Sequence, residues 1–252
     1  MNMTGNTILI TGGSGGIGRA LAEAFHALGN TVVITGRRRE ALDAVTSANP
    51  GMQAMVVDVT DKAALATFAE DVKRTYPALN VLINNAGIMK AEDIGQAPAY
   101  VDIAEETIAT NLLAPIRLTA ALLPLLRSQA QSTVMTVSSG LAFVPMALTP
   151  TYSATKAAIH AYSMSLREQL KQTTTQVIEI APPYVRTQLM GDRQANDPRA
   201  MPLDEFIAEV MQILGNQPDV AEVIVERCKP LRFAAENGKM DVMFEAINSM
   251  HV

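Results

Sequence analysis

Cysteine is almost missing from this chain of 252 residues. Cys228 stands alone, which excludes an internal disulfide and a thiolate metal cluster. Histidine is scarce too: His26, His160 and His251 have no spacing that would join them in a metal site, and no catalytic metal is expected. Basic runs do not exceed Arg37-Arg38-Arg39 and the net charge is -5, which argues against a nucleic-acid or membrane-surface protein. Long hydrophobic runs are lacking. The most apolar stretch, residues 112–126, holds Arg117 and two prolines and is too short to span a bilayer. The first six residues are polar and lack the basic-then-apolar layout of a secretory signal, so the expectation is a soluble cytoplasmic protein. Repeats, low-complexity segments and Gly/Ser linkers are absent as well. What remains is 48% hydrophobic and 18% charged, ample apolar material for one packed domain over residues 1–252.

That material follows a repeating order. β-branched runs at residues 7–11, 31–35, 52–57, 80–83, 133–137, 176–180 and 222–225 read as strands. Amphipathic stretches at 16–28, 40–47, 61–75, 104–127, 153–171 and 203–214 read as helices. Continuously apolar strands alternating with helices imply a parallel sheet of about seven strands covered on both faces, the doubly wound α/β Rossmann arrangement. The tail after Cys228 is apolar and expected to be helical.

The first strand ends in Thr11-Gly12-Gly13-Ser14-Gly15-Gly16-Ile17-Gly18, where a helix opens. Glycines at 12, 16 and 18 permit a tight turn, close approach of backbone to a pyrophosphate, and tight helix–strand packing. The helix N-terminus then offers free N–H groups and a partial positive charge to the phosphates. The spacing is T-G-x-x-x-G-x-G, not the G-x-G-x-x-G of ordinary dinucleotide folds.

That spacing resembles the short-chain dehydrogenase/reductase family, and the family's other stations follow in order. Asn84-Asn85-Ala86-Gly87 closes the fourth strand, Asn111 lies in the next helix, Ser138-Ser139 ends the fifth strand, and Tyr152-Ser-Ala-Thr-Lys156 matches Y-x-x-x-K. The string Ser139-Gly-Leu-Ala-Phe143 with Ala181-Pro-Pro183 looks like the bacterial branch named for the D-alanine–teichoic acid esterification operon. The resemblance covers about residues 5–190 and implies a nicotinamide-dependent oxidoreductase that assembles as a homodimer or homotetramer through its two long helices. It also implies a cofactor site at Gly12, Ser14, Gly16, Ile17, Gly18, Asp58, Val59, Asn85, Ala86, Gly87, Tyr152, Lys156, Pro182, Val185 and Thr187. Where the family has P-G-x-x-x-T, this chain has Pro182-Pro183-Tyr184-Val185-Arg186-Thr187, and Pro183 removes a backbone donor from that loop.

The residue types suit the chemistry. Reducing a ketone takes a hydride and a proton for the developing alkoxide, yet a free Tyr, with a pKa of about 10, is a poor base at neutral pH. A Lys four positions on shares its helical face. At about 4 Å and an effective dielectric near 20 its charge attracts phenolate by roughly 4 kcal/mol, enough to lower the phenol by up to about three pH units before desolvation opposes it. Tyr152 and Lys156 therefore form the expected acid/base pair. Ser139, thirteen residues before Tyr152 as is usual in the family, is expected to donate to the substrate oxygen; the alternative, Ser138, reads as a strand-end residue. Pro115, four positions after Asn111, has no N–H for the Asn111 carbonyl, so the helix should kink there. By the resemblance, Asn111 anchors a proton-relaying water.

Just after the second strand the chain reads Thr35-Gly36-Arg37-Arg38-Arg39, with no carboxylate until Glu40. An acidic residue there would bind the adenosine ribose hydroxyls, and an Arg would favour a 2′-phosphate. Arg37 and Arg38 thus favour NADP(H), with NAD(H) possible if the arginines only solvate a helix start. The substrate pocket is expected from Met89, Leu141, Phe143, Val144, Tyr184, Leu189 and Met190, under a lid over about residues 188–206, though Met and Phe there are equally explicable as core. Arg186 and Arg193 could each meet a carboxylate. These residues suit a neutral, fairly apolar ketone, aldehyde or alcohol. The leading reading is an NADPH-dependent carbonyl reductase. An NAD-linked secondary-alcohol dehydrogenase and a non-catalytic NADP(H)-binding regulator are its competitors.

Overall fold

In the computed structural model the first half of the chain alternates strand and helix: β1 (Thr7–Thr11), α1 (Gly16–Ala27), β2 (Thr31–Gly36), α2 (Arg39–Ala48), β3 (Gln53–Val56), α3 (Lys62–Thr75) and β4 (Val81–Asn84). The second half continues with α4 (Val101–Ile108), α5 (Ala114–Arg127), β5 (Ser132–Val137), α6 (Pro150–Leu170) and β6 (Thr175–Ile180). It closes with α7 (Asp192–Ala195), α8 (Leu203–Asn216), β7 (Glu222–Val223), α9 (Lys229–Arg232) and α10 (Met240–Ser249). The structure describes residues 1–249, so His251 lies outside the described residues.

All seven strands join one parallel sheet in the order β3-β2-β1-β4-β5-β6-β7. Successive residues of a strand point to opposite faces, and here each face has its own core. Ile8 and Ile10 of β1 pack with Leu21 and Phe25 of α1 and with Phe206 of α8. Leu9, between them, packs with Phe68 of α3 and Leu118 of α5. A strand covered on both sides has no solvent face, which is why β1 and β4 read as unbroken apolar runs. The apolar tail becomes α9 and α10, and the second of these seals a third, smaller cluster around Val144, Met146, Ala234 and Ile247.

At the disturbance expected around Pro115, a π turn over Ala109–Leu113 joins α4 to α5, and the Ala114 N–H donates to the Ala109 carbonyl five residues back. Shifting the ladder by one residue lets the helix pass a proline that cannot donate, and π turns recur at functional positions for this reason. The joined helix Val101–Arg127 has 27 residues, longer than the 104–127 reading and, by length and composition alone, long enough to cross a bilayer. In the fold it packs beside α3 and α6.

Pro115→Ala returns an N–H to this ladder. Stability should hold or rise, because an interior helical proline costs on the order of 3 kcal/mol relative to alanine before tertiary compensation. The Asn111 side chain, held by the π turn against Ile88, should lose its seat. Thermal unfolding checks the first effect and amide exchange at Ile88 the second. An unchanged melting temperature with equal protection of Ile88 would mean that something other than Pro115 sets the π turn.

Candidate active site

The glycine-rich turn lies at the C-terminal end of β1, and each glycine that the spacing singles out has a visible reason. Gly12 has φ +69°, and a Cβ there would stand 2.9 Å from the Ala86 Cα. Gly18 is tighter still: a Cβ would meet the Asn85 amide at 2.2 Å and the Gly12 carbonyl at 2.4 Å. Gly16, at φ +52°, lies beneath Thr187. α1 begins without a side-chain cap, so its first N–H groups stay open beside Gly15, Gly16 and Ile17. Those residues line a cleft of about 500 Å³ that also takes in Gly12, Ser14, Arg37, Arg38, Asp58, Val59, Asn85, Ala86 and Gly87. Pro182, Val185 and Thr187 line it from the other side. A capless helix end behind a glycine-rich turn fits a dinucleotide pyrophosphate.

Asp58 is opposed by burial, but the Thr60 N–H and hydroxyl, and then the Arg37 charge, hold its carboxyl below the usual range. Arg37 therefore acts at the end of the cleft.

At the cleft's other end β5 delivers Ser138 and Ser139, and α6 delivers Tyr152 and Lys156. Ser138 is turned inward, its Oγ 3.4 Å from the Ile180 carbonyl. Ser139 Oγ accepts the Leu141 N–H at 3.1 Å, and the residue shares the cleft wall with Tyr152. Lys156 Nζ lies 5.5 Å from the Tyr152 ring centroid and donates to the Val137 carbonyl at 2.8 Å. Asn111 serves as a brace: its Oδ1 accepts the Ile88 N–H and its Nδ2 donates to the Ile88 carbonyl, both at 2.9 Å. A Cβ on Gly87 would lie 3.3 Å from Asn111 Oδ1 and 3.7 Å from Lys156 Nζ. The four residues expected of the catalytic group are thus neighbours.

One electrostatic expectation fails. Burial pushes the Tyr152 phenol up to about 12, with the Ser139 hydroxyl opposing, and burial pulls Lys156 down to about 8 against the charge of Glu179. Both groups are almost fully enclosed, so the desolvation set against the charge argument carries each toward its neutral form.

The sequence profile of the short chain dehydrogenase family matches residues 6–198. The chain belongs to that family. Over 252 residues it is 38% identical to the uncharacterized oxidoreductase DltE of Bacillus subtilis, covering 99% of each chain. Among solved structures, a short-chain dehydrogenase from Streptomyces avermitilis is similar, with a TM-score of 0.82, 27% identity, and coverage of 96% of this chain and 97% of that one. Another, from Sphingobium yanoikuyae in complex with NADPH, has a TM-score of 0.79, 25% identity and 94% coverage of each chain. This short-chain dehydrogenase is an NAD(P)-dependent oxidoreductase.

A second cavity of about 490 Å³ adjoins the cleft and shares Ser139, Tyr152, Pro182, Pro183, Leu189 and Gln194 with it. Met89, Leu141, Tyr184 and Met190 line it as expected. Phe143 and Val144 do not. The tight turn Gly140–Ala142 carries Leu141 inward and Phe143 away, where its ring meets His160 edge-on at 4.8 Å and Arg232 at 4.8 Å. Val144 is fully buried in the cluster beneath. Arg186 and Arg193 are exposed and line neither cavity; the arginines on this wall are Arg199, forked onto Asp197, and Arg227. Of the expected cover, residues 188–206, Leu189, Met190, Gln194, Pro198 and Arg199 line this cavity, Met201 is pinned to Tyr184 and Arg186 by backbone hydrogen bonds of 2.8 Å, and Phe206 is core.

Sequence reasoning missed Leu231, Met243, Ala246 and Ile247, which complete the apolar wall. Their only signal was the apolar character of the tail. It also missed Gln194, whose Nε2 donates to the Val185 carbonyl at 2.7 Å and to Thr187 Oγ1 at 3.3 Å, tying the cover to the cleft. Nothing in a lone loop glutamine announces this.

Gly18→Ala should test the cradle directly. The added methyl must displace Asn85 or the Gly12 carbonyl, so cofactor affinity should fall by about tenfold or more, equivalent to roughly 1.4 kcal/mol, whereas Gly15→Ala, whose Cβ meets nothing within 4 Å, should lose far less. Fluorescence titration with reduced cofactor reads both. Equal losses would show that the Gly18 packing does not govern the site.

Proposed function

We propose that this enzyme reduces the carbonyl of a fairly apolar ketone or aldehyde, using NADPH in preference to NADH. The observation that carries this reading is the position of Tyr152 and Ser139 on the shared wall where the glycine-lined cleft meets the apolar cavity. A carbonyl carbon in the apolar cavity would face whatever the cleft holds, with its oxygen toward the two hydroxyls.

With its phenol raised to about 12, Tyr152 is protonated at neutral pH and is equipped as an acid. It can give its proton to the carbonyl oxygen as negative charge develops there, while the Ser139 hydroxyl donates to the same atom. Below about pH 8 Lys156 is cationic and stabilises the phenolate left behind. A bound reduced nicotinamide supplies the hydride. Asn111 spends its side chain on Ile88, so what it offers a proton path is its main-chain carbonyl, which Pro115 leaves without the usual N–H. A protonated phenol is the form that carbonyl reduction requires. A regulator without catalysis would have no use for a buried Tyr–Lys–Ser group.

Preference for the 2′-phosphate rests on Arg37 and Arg38, both on the cleft wall beside Ser14. The NADPH complex of the Sphingobium relative is in keeping with it.

Tyr152→Phe should bring kcat below about one per cent of wild type, since general acid/base steps contribute roughly 10²–10⁴. NADPH binding should be nearly unchanged, whereas Lys156→Ala should damage both. Steady-state rates with a panel of apolar ketones, beside a cofactor titration, decide it; measurable kcat in Tyr152→Phe above that level sinks the assignment.

Arg37→Asp should raise KM for NADPH far more than for NADH, because a like charge then stands beside the 2′-phosphate. The test is the ratio of the two KM values in each protein. An unchanged ratio would mean that Arg37 takes no part in cofactor choice.

A further inference from the structure

Among the described residues Glu179 is the one charged side chain with no solvent exposure at all. It stands on β6, where the register sets it beside Glu222 of β7. Two carboxylates in neighbouring register positions are unfavourable unless cations answer them. Glu222 is answered fully: Arg232 of α9 donates to Oε2 at 2.7 Å and to Oε1 at 3.3 Å, and its remaining fork reaches Glu236 at 2.9 Å. Glu179 is answered only in part. His160 Nδ1 lies 2.8 Å from its Oε2, and its Oε1 has no hydrogen-bond partner among the described residues.

The remaining groups around Glu179 narrow the choice of counter-charge. Arg167 of α6 gives its donors to the Val177 and Ala221 carbonyls at 3.0 and 2.8 Å. Cys228 is buried, and Glu179 helps to hold its thiol protonated. On α6, His160 is one turn beyond Lys156 and two turns beyond Tyr152, so all three lie on one stripe of the helix. Lys156 hydrogen-bonds only the neutral Val137 carbonyl among the described residues. His160, Glu179 and Glu222 also place ligand atoms within 4.8 Å of one another, as a metal site would. Arg232 already occupies both Glu222 oxygens, however, and would repel a dication.

We propose that Glu179 is a positioning residue for the reaction, the buried counter-charge that keeps Lys156 cationic in an enclosure that would otherwise strip its proton. The idea rests on the role given to Lys156 above. It accounts for a carboxylate retained deep in the sheet with one oxygen unspent. The charge of Glu179 indeed opposes the fall of Lys156 to about 8. Lys156 is charged below that value and neutral above it, so removing Glu179 must bring the neutral form to lower pH.

Glu179→Gln keeps the shape and removes the charge. The alkaline limb of the kcat/KM profile should move down by about half a pH unit or more, which is about threefold in the Lys156 equilibrium. KM at about pH 6, where Lys156 stays charged, should change by less than about twofold. Glu222→Gln should leave the limb in place, and Glu179→Asp should restore most of it. A limb unmoved in folded, active Glu179→Gln overturns the proposal. Should that variant not fold, isotope-edited carboxyl NMR of the wild type, with the Glu179 resonance assigned through Glu179→Asp, gives the ionisation directly. A neutral Glu179 carboxyl throughout about pH 6 to 9 overturns the proposal, and an ionised one supports it. Full activity in Lys156→Ala would instead remove the reading beneath it, a result distinct from any behaviour of Glu179.

Discussion

Thr11 and Asn85 tie together the ends of two strands whose chains then leave in opposite directions. The Thr11 Oγ1 accepts the N–H groups of Asn85 and Ala86, each at 3.0 Å, and the Asn85 Nδ2 donates to the Thr11 carbonyl at 2.9 Å. β1 and β4 are neighbours in the sheet, yet β1 feeds α1 on one face and β4 leads to α5 on the other. A divergence of this kind opens a crevice at the strand ends, the usual ligand position in doubly wound sheets. The stitch keeps the crevice from splaying, and it works only because Gly12 and Gly18 have no side chains to hold Asn85 away. Cleft, helix N-terminus and catalytic group are all placed relative to that junction.

Enclosure sets the electrostatics of the reacting group. A protein could activate a tyrosine with a nearby cation in water at little cost, but water would also compete for the developing charge. Here Tyr152 and Lys156 are about 5% exposed each, and burial drives both toward their neutral forms. The pair is therefore poised as neutral acid and marginal cation, an arrangement suited to handing a proton over. The charge of the lysine becomes the adjustable quantity, and a buried carboxylate held against His160, one helical turn beyond the lysine, is a means of adjusting it.

How much of this was legible in the sequence depends on how far the relevant interaction reaches along the chain. The sheet was legible because its inner strands are largely apolar on both faces, a local property of residues 7–11 or 133–137. The cradle and the catalytic group were legible because their spacing is fixed by single turns: Gly12 to Gly18 around one strand end, Tyr152 to Lys156 along one helix turn. The π turn was half legible. Pro115 announced a missing hydrogen bond, but whether a helix bends or shifts its ladder depends on its neighbours, here Ile88 gripping Asn111. Phe143 was misplaced because nearness to Ser139 in the chain cannot foresee the tight turn that follows it. The pairing of Glu179 with Glu222 was invisible, since it needs the register of two strands more than forty residues apart.

The wall of the apolar cavity is placed differently along the chain from the tyrosine group. Every member of the catalytic group, and every residue of the phosphate cradle, falls within residues 6–198, the span matched by the family profile. The far wall of the apolar cavity does not. Arg199, Arg227, Leu231, Met243, Ala246 and Ile247 all lie beyond it, on elements that join the sheet late or only cap it. Rigid strand ends hold reacting atoms to sub-ångström placement, which loops and terminal helices cannot, whereas a pocket wall needs only shape and polarity and tolerates change. The match to DltE runs through this tail, over 99% of both chains. A relative that departed from this chain only in that tail would keep the cleft and the tyrosine group and alter the wall of the apolar cavity.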